Sequence, residues 1–217
     1  MTRRIAAEGL GSALLLAIVV GSGIMGDRLA EGNAAVALLA NSLATGAGLF
    51  VLITVFAPIS GAHFNPAVTL ALAIERAVPL REVAPYLAGQ FVGACLGTFL
   101  AHAMFALPLL QMGMRSRATP GEWLGEAIAT FGLVLTIRLL WRASKQEVGA
   151  AVALWIACAY WFTSSTSFAN PAVTIARSLT DTFAGIAPAN IPAFIVAQLV
   201  GGALAVVVAR RFSTKAV

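Results

Sequence analysis

Two short stretches of this chain carry residue types able to act on a passing solute. Asn65-Pro66-Ala67 and Asn170-Pro171-Ala172 are identical tripeptides, and each is followed by Val-Thr. Asn suits a helix N-cap, where its side-chain oxygen accepts from the second or third helical N–H. Pro suits the first helical position, where an N–H has no partner in any case. Each tripeptide therefore reads as the start of a helix whose capping amide keeps its N–H groups free to point elsewhere. Other reactive groups are few. His63, His102 and the scattered serines show no Ser–His or metal spacing. Cys95 and Cys158 sit inside apolar runs as small hydrophobes and match no ligand pattern. No catalytic residue, metal or cofactor is expected.

The elements that must hold these tripeptides are membrane helices. The 217 residues are 59% hydrophobic and 11% charged, against roughly 45–50% and about 25% in soluble domains. Apolar stretches fall at residues 5–26, 34–57, 82–107, 120–141, 148–166 and 190–210. A span needs about 20 residues to cross a hydrocarbon core of about 30 Å, so six helices fit. The run from Pro66 to Ile74 makes only about 14 Å of helix, roughly half that thickness. It dips to the midplane and returns. Gly89, Gly93 and Gly97 form a small-xxx-small ladder suited to close helix packing.

Basic residues set the orientation. With the N-terminus inside, the inner segments hold Arg3, Arg4, Arg76, Arg81, Arg138, Arg142, Lys145, Arg210, Arg211 and Lys215, and the outer ones Arg28, Arg115, Arg117 and Arg177. That bias places both termini in the cytoplasm of a multi-pass inner or plasma membrane protein. The net charge of +5 is spread over segment ends, which argues against nucleic-acid binding. The opening Met1-Thr2-Arg3-Arg4 resembles a secretory leader, but the segment after it has a counterpart later in the chain.

That counterpart belongs to a repeat. Ala7-Glu8-Gly9-Leu10 resembles Gly125-Glu126-Ala127-Ile128, the two Asn-Pro-Ala-Val-Thr stretches match, and Gln90-Phe91-Val92-Gly93 resembles Gln198-Leu199-Val200-Gly201. Three spans per repeat is an odd number, so the halves have opposite topology. The expected fold is all-α: six transmembrane helices plus two re-entrant half-helices in an inverted repeat, one domain over 1–217 with halves 1–110 and 119–217. Two caps entering from opposite leaflets bring the positive ends of two helices together at the midplane. Irregular backbone at that depth requires a polar cavity. A narrow aqueous path with two amide donors at its centre follows, one that repels cations and breaks proton hopping.

Ser60-Gly61-Ala62-His63-Phe64-Asn65-Pro66-Ala67-Val68-Thr69 resembles the first signature of the major intrinsic proteins, the aquaporins and aquaglyceroporins, and the resemblance covers nearly the whole chain. It implies a right-handed bundle assembled as a homotetramer with one pore per subunit. It further implies that Glu8 and Glu126 hydrogen-bond the re-entrant backbone and that His63 orders loop carbonyls near the inner end of the pore. His102 has no such counterpart and reads as a satisfied helix-end residue. Carried over by position, the outer constriction would be Thr45, Cys158, Ser167 and Val173. The family usually has an aromatic where Thr45 stands and an Arg where Val173 stands.

Small side chains there imply a wider opening with less fixed positive charge. Polyols, urea and metalloid hydroxides such as arsenous acid then rank above strict water selectivity, with methylated arsenicals at the upper size limit. Arg177, four residues beyond Val173 on a similar face, either looks into the outer vestibule about 6 Å above the filter or contacts headgroups and loops. Val followed by this Arg resembles a bacterial branch associated with arsenic resistance. The competing classes are a mainly water-selective aquaporin and an inverted-repeat secondary transporter. The transporter would need a charged coupling site mid-span, and Glu8 and Glu126 lie near helix starts.

Overall fold

The computed structural model describes residues 1–144 and 147–212, the side chains of Arg142 and Ala143 excepted. The Lys145 and Lys215 positions and the Arg142 side chain, assigned above to the inner side, lie outside the described residues. The apolar runs form α1 (Thr2–Leu29), α2 (Ala34–Ser60), α4 (Leu80–Met104), α5 (Pro120–Ala143), α6 (Val148–Phe162) and α8 (Ile191–Phe212). The two Asn-Pro-Ala stretches open α3 (Pro66–Ile74) and α7 (Pro171–Arg177).

Helices α1, α2, α4, α5 and α8 are long and apolar enough to cross a membrane. The sixth is shorter than its sequence suggested. Expected over 148–166, α6 stops at Phe162 after 15 residues, about 22 Å. Thr163-Ser164-Ser165-Thr166-Ser167 follows, and hydroxyls compete for backbone bonds. Thr163 Oγ1 donates to the Ala159 carbonyl at 2.7 Å, and Ser165 Oγ accepts from Ser167 N at 3.2 Å. The chain is thereby turned out of the helix and toward Asn170.

Packing repeats between the halves. Helix α1 lies against α2 and α4, α5 lies against α6 and α8, and α2 meets α6 across the middle. The closest approaches use glycine in the same place twice. A Cβ on Gly93 would run into the Gly9 carbonyl of α1, and one on Gly201 into the Ala127 carbonyl of α5. Without a hydrophobic drive between helices in lipid, such backbone contact supplies much of the association energy.

The two ends of the bundle differ. At one, Arg4 pairs with Glu82, and Glu75 at the end of α3 meets Arg138 and Arg210. At the other, Arg28 lies over the Phe105 ring, and the 105–119 loop is clasped to the 178–190 loop. That clasp uses Gly113 N to Ser178 O at 2.8 Å, Ala187 N to Arg115 O at 2.8 Å and Arg117 N to Asn190 Oδ1 at 2.8 Å.

Candidate functional site

The site begins with two helix caps that meet. Asn65 Oδ1 accepts from Ala67 N at 2.9 Å and Val68 N at 3.4 Å, and Asn170 Oδ1 accepts from Ala172 N and Val173 N at the same distances. Their amides then cross over. Asn65 Nδ2 donates to the Ala169 carbonyl at 2.7 Å, and Asn170 Nδ2 donates to the Phe64 carbonyl at 2.8 Å. Each amide nitrogen has two hydrogens, so one is spent tying the half-helices together. The sequence suggested that both would be free; one per Asn remains. Both Asn side chains line the same cavity.

Buried carboxylates hold the strained loops that precede the caps. Ala62 and Phe64 in one loop, and Ser167 and Ala169 in the other, have left-handed backbone with φ between 48° and 51°. For non-glycine residues this costs roughly 1–3 kcal/mol each. Glu8 accepts from His63 N at 3.0 Å, Phe64 N at 2.7 Å and Gln90 Nε2 at 2.7 Å. Glu126 accepts from Phe168 N and Ala169 N, both at 2.8 Å, and from Gln198 Nε2. Gln90 and Gln198 continue to Thr69 and Thr174 at 2.9 Å, whose hydroxyls return to the carbonyls of Asn65 and Asn170. The chain of bonds is the same in both halves.

His63 departs from its expected role. Its Nδ1 lies 3.1 Å from Thr69 Oγ1. That hydroxyl already gives its proton to Asn65 O, so His63 Nδ1 is the donor and Nε2 is left as acceptor. The carbonyl of Ser60, at the end of α2, is held by the Tyr86 hydroxyl at 2.8 Å, and that of Phe64 in the loop by Asn170.

The cavity that both Asn side chains line is formed by α1, α2, α5 and α6 together with the two re-entrant loops. Its walls are apolar: Leu15 and Val19 from α1, Leu49 and Ile53 from α2, Leu133 and Ile137 from α5, and Val148, Val152 and Ile156 from α6. Trp141 stands toward the end that carries the Glu75 ion pairs. Polar groups enter from the re-entrant loops and from the end closed by the 105–119 and 178–190 loops.

At that end Thr45, Ser167 and Val173 line the cavity, but Cys158 does not. Its side chain is exposed on the opposite face of α6. The cavity stripe on this helix is Val148, Val152, Ile156 and Tyr160, four residues apart, and position 158 lies about 200° round from 156. The fixed offset from Asn170 therefore selected the wrong face. Tyr160 takes the place, its hydroxyl 3.3 Å from Thr45 Oγ1. The i, i+4 stripe was present in the sequence and pointed to it.

Arg177 both lines the lumen and contacts a loop, so the two alternatives meet in one side chain. Arg177 is 2% exposed, lines the cavity and stacks 3.5 Å above the Phe168 ring centroid. Its Nε donates to the Ala184 carbonyl. A second guanidinium accompanies it. Arg117 is also buried, 4.9 Å from the Phe168 ring centroid, with Nη1 on Ser165 O at 2.9 Å and Nε on Gly185 O at 3.2 Å. Burial first, then the charges of Arg177 and Arg115, push Arg117 down to about 9, which leaves it charged at neutral pH. Nothing in the irregular 105–119 loop marked Arg117 beforehand. His102 is fully buried, Nδ1 2.9 Å from Leu109 O and Nε2 2.8 Å from Thr180 Oγ1.

Two facing Asn caps thus stand in a membrane bundle with a lumen between them. The model described as "Major intrinsic protein" covers residues 1–164. The chain belongs to the major intrinsic protein family. It is similar to the aquaglyceroporin AqpS of Rhizobium meliloti (strain 1021), 52% identical over 210 residues, covering 97% of this chain and 90% of that one. It is also similar to the aquaporin AqpM of Methanothermobacter marburgensis, 31% identical, covering 94% and 95%. In fold it matches the X-ray structure of the aquaglyceroporin from Plasmodium falciparum, with a TM-score of 0.75 at 22% identity over 94% and 93% of the two chains. As a major intrinsic protein the chain is a multi-pass membrane channel for water and small solutes, and not an enzyme.

Proposed function

We propose that this major intrinsic protein conducts small uncharged hydroxylated or amide solutes, namely polyols, urea and metalloid hydroxides such as arsenous acid, together with water. Methylated arsenicals mark the upper size limit. The observation that carries this reading is Val173, which faces the lumen three residues after Asn170, where a long guanidinium would otherwise narrow the path. An apolar wall with a line of hydroxyls and amides suits a solute that has an alkyl side and an oxygen side. Tyr160 reduces the width expected from four small side chains, so shape discriminates among solutes as well. The relative described as an aquaglyceroporin, 52% identical, supports the same class.

We further infer one domain of two inverted halves, 1–110 and 119–217, assembled as a homotetramer with both termini cytoplasmic. The bias of basic residues supports the orientation. The exposed Leu39, Leu43, Val51 and Trp161 support burial of that face in lipid or against further copies. Stopped-flow light scattering on proteoliposomes, comparing water, glycerol, urea and arsenous acid, tests the solute class. All four should cross without saturation or dependence on an ion gradient. Passage of water alone would give the water-selective reading, and gradient dependence the transporter.

A further inference from the structure

The outer end of the lumen holds two buried guanidiniums with no contacting carboxylate among the described residues. Arg117 and Arg177 are both buried against Phe168, and among the described residues no carboxylate pairs with either. Three acids of this end are engaged elsewhere: Glu122 closes the helix cap at Thr119, Glu126 holds loop backbone, and Asp181 accepts from Met114 N. Glu126 attracts both guanidiniums through space and Glu122 attracts Arg117, but two like charges buried without a carboxylate in contact are costly.

Two polar atoms at the same place also lack partners. Arg177 Nη1 and Ser167 Oγ are buried with no hydrogen bond, and both residues line the lumen beside the Thr45–Tyr160 hydroxyl pair. A buried donor left unmade costs about 1–3 kcal/mol. Water alone would satisfy the hydrogen bonds but not the charge. A planar guanidinium beside hydroxyl donors matches two oxygens sharing one negative charge better than it matches a spherical halide.

We propose that the Arg177 guanidinium and the Ser167 hydroxyl form a binding subsite in the outer lumen for a small monoanionic oxyacid, a carboxylate being the simplest case. Arg117 adds charge from behind the Phe168 ring edge or face without reaching the ligand. The anion rests in the mouth and competes with neutral solutes for it; the positive ends of α3 and α7 lie deeper. This subsite goes beyond the neutral-solute reading, and its first measurement does not depend on that reading.

The test uses the full chain in detergent at pH 7, with thermal unfolding followed against sodium acetate and against sodium chloride at equal ionic strength. Ligand that binds only the folded state raises the midpoint in a saturable way. Acetate should do so and chloride should not. Ser167→Ala and Arg177→Lys should each weaken the apparent acetate Kd by about ten-fold or more, as expected for loss of a charge-assisted bond, and Arg177→Leu should abolish the effect. Should Arg177→Leu fail to fold, the two milder variants decide. Equal protection by acetate and chloride in the parent, or a parent Kd retained by either milder variant, overturns the proposal. In proteoliposomes external acetate should slow glycerol entry; acetate that protects the protein yet leaves glycerol entry unchanged overturns the placement in the lumen.

Discussion

At the scale of single residues, the proposed constriction around Val173 is testable side chain by side chain. Tyr160 and Thr45 bond across it at 3.3 Å. Tyr160→Ala removes an aromatic ring from the path and should raise the permeability to solutes larger than glycerol, read as swelling rates for a polyol series. An unchanged size cut-off would remove Tyr160 from the filter. Cys158, by contrast, is exposed on the far face of α6. Maleimide labelling of Cys158 should leave solute flux unchanged, and so should Cys158→Ser; block that the mutation relieves would return Cys158 to the lumen. The buried carboxylates act on the loops instead. Glu126→Gln puts an amide donor against Ala169 N or Gln198 Nε2, losing at least one bond to a charged acceptor, worth about 1.5–3 kcal/mol. The midpoint of thermal unfolding should fall accordingly, and Glu8→Gln should do the same in the other half.

At the scale of elements, the repeat made most of the frame legible in the sequence. Asn65-Pro66 and Asn170-Pro171 announce two helix starts because cap and first-turn chemistry is local, and the structure has α3 and α7 beginning there. The end of α6 was less legible, since Thr163 and the serines after it are apolar enough to extend a hydrophobic window yet polar enough to break the helix. Arg117 was not legible at all. Its place depends on the 105–119 loop folding onto the 178–190 loop, a contact between segments with no period to read. Glycine pairs offer the test at this scale. Gly201→Ala pushes a methyl into the Ala127 carbonyl, whereas the nearest atom to a Cβ on Gly202 is 3.8 Å away. Gly201→Ala should cost about 1–3 kcal/mol of stability, seen as a lower unfolding midpoint, and Gly202→Ala should be close to neutral. Equal effects would deny the close α5–α8 contact.

At the scale of the whole molecule, the chain separates three tasks. The Glu8 and Glu126 networks hold the loops, the crossed Asn amides lock the two half-helices at the middle, and the residues around Val173 are the ones proposed to choose the solute. On the proposed reading, selection can be changed without touching the frame. Val173→Arg places a long cation where the lumen is now lined by a small apolar group. A buried guanidinium needs acceptors, so folding and oligomeric state of the variant are checked first. The decisive measurement is then stopped-flow permeability to glycerol and to water in proteoliposomes, parent beside Val173→Arg. The glycerol-to-water ratio should fall about ten-fold, the effect of raising one barrier by roughly 1.4 kcal/mol. A folded variant with the parent's ratio would contradict the claim that the cleared position at Val173 makes this a channel for solutes larger than water.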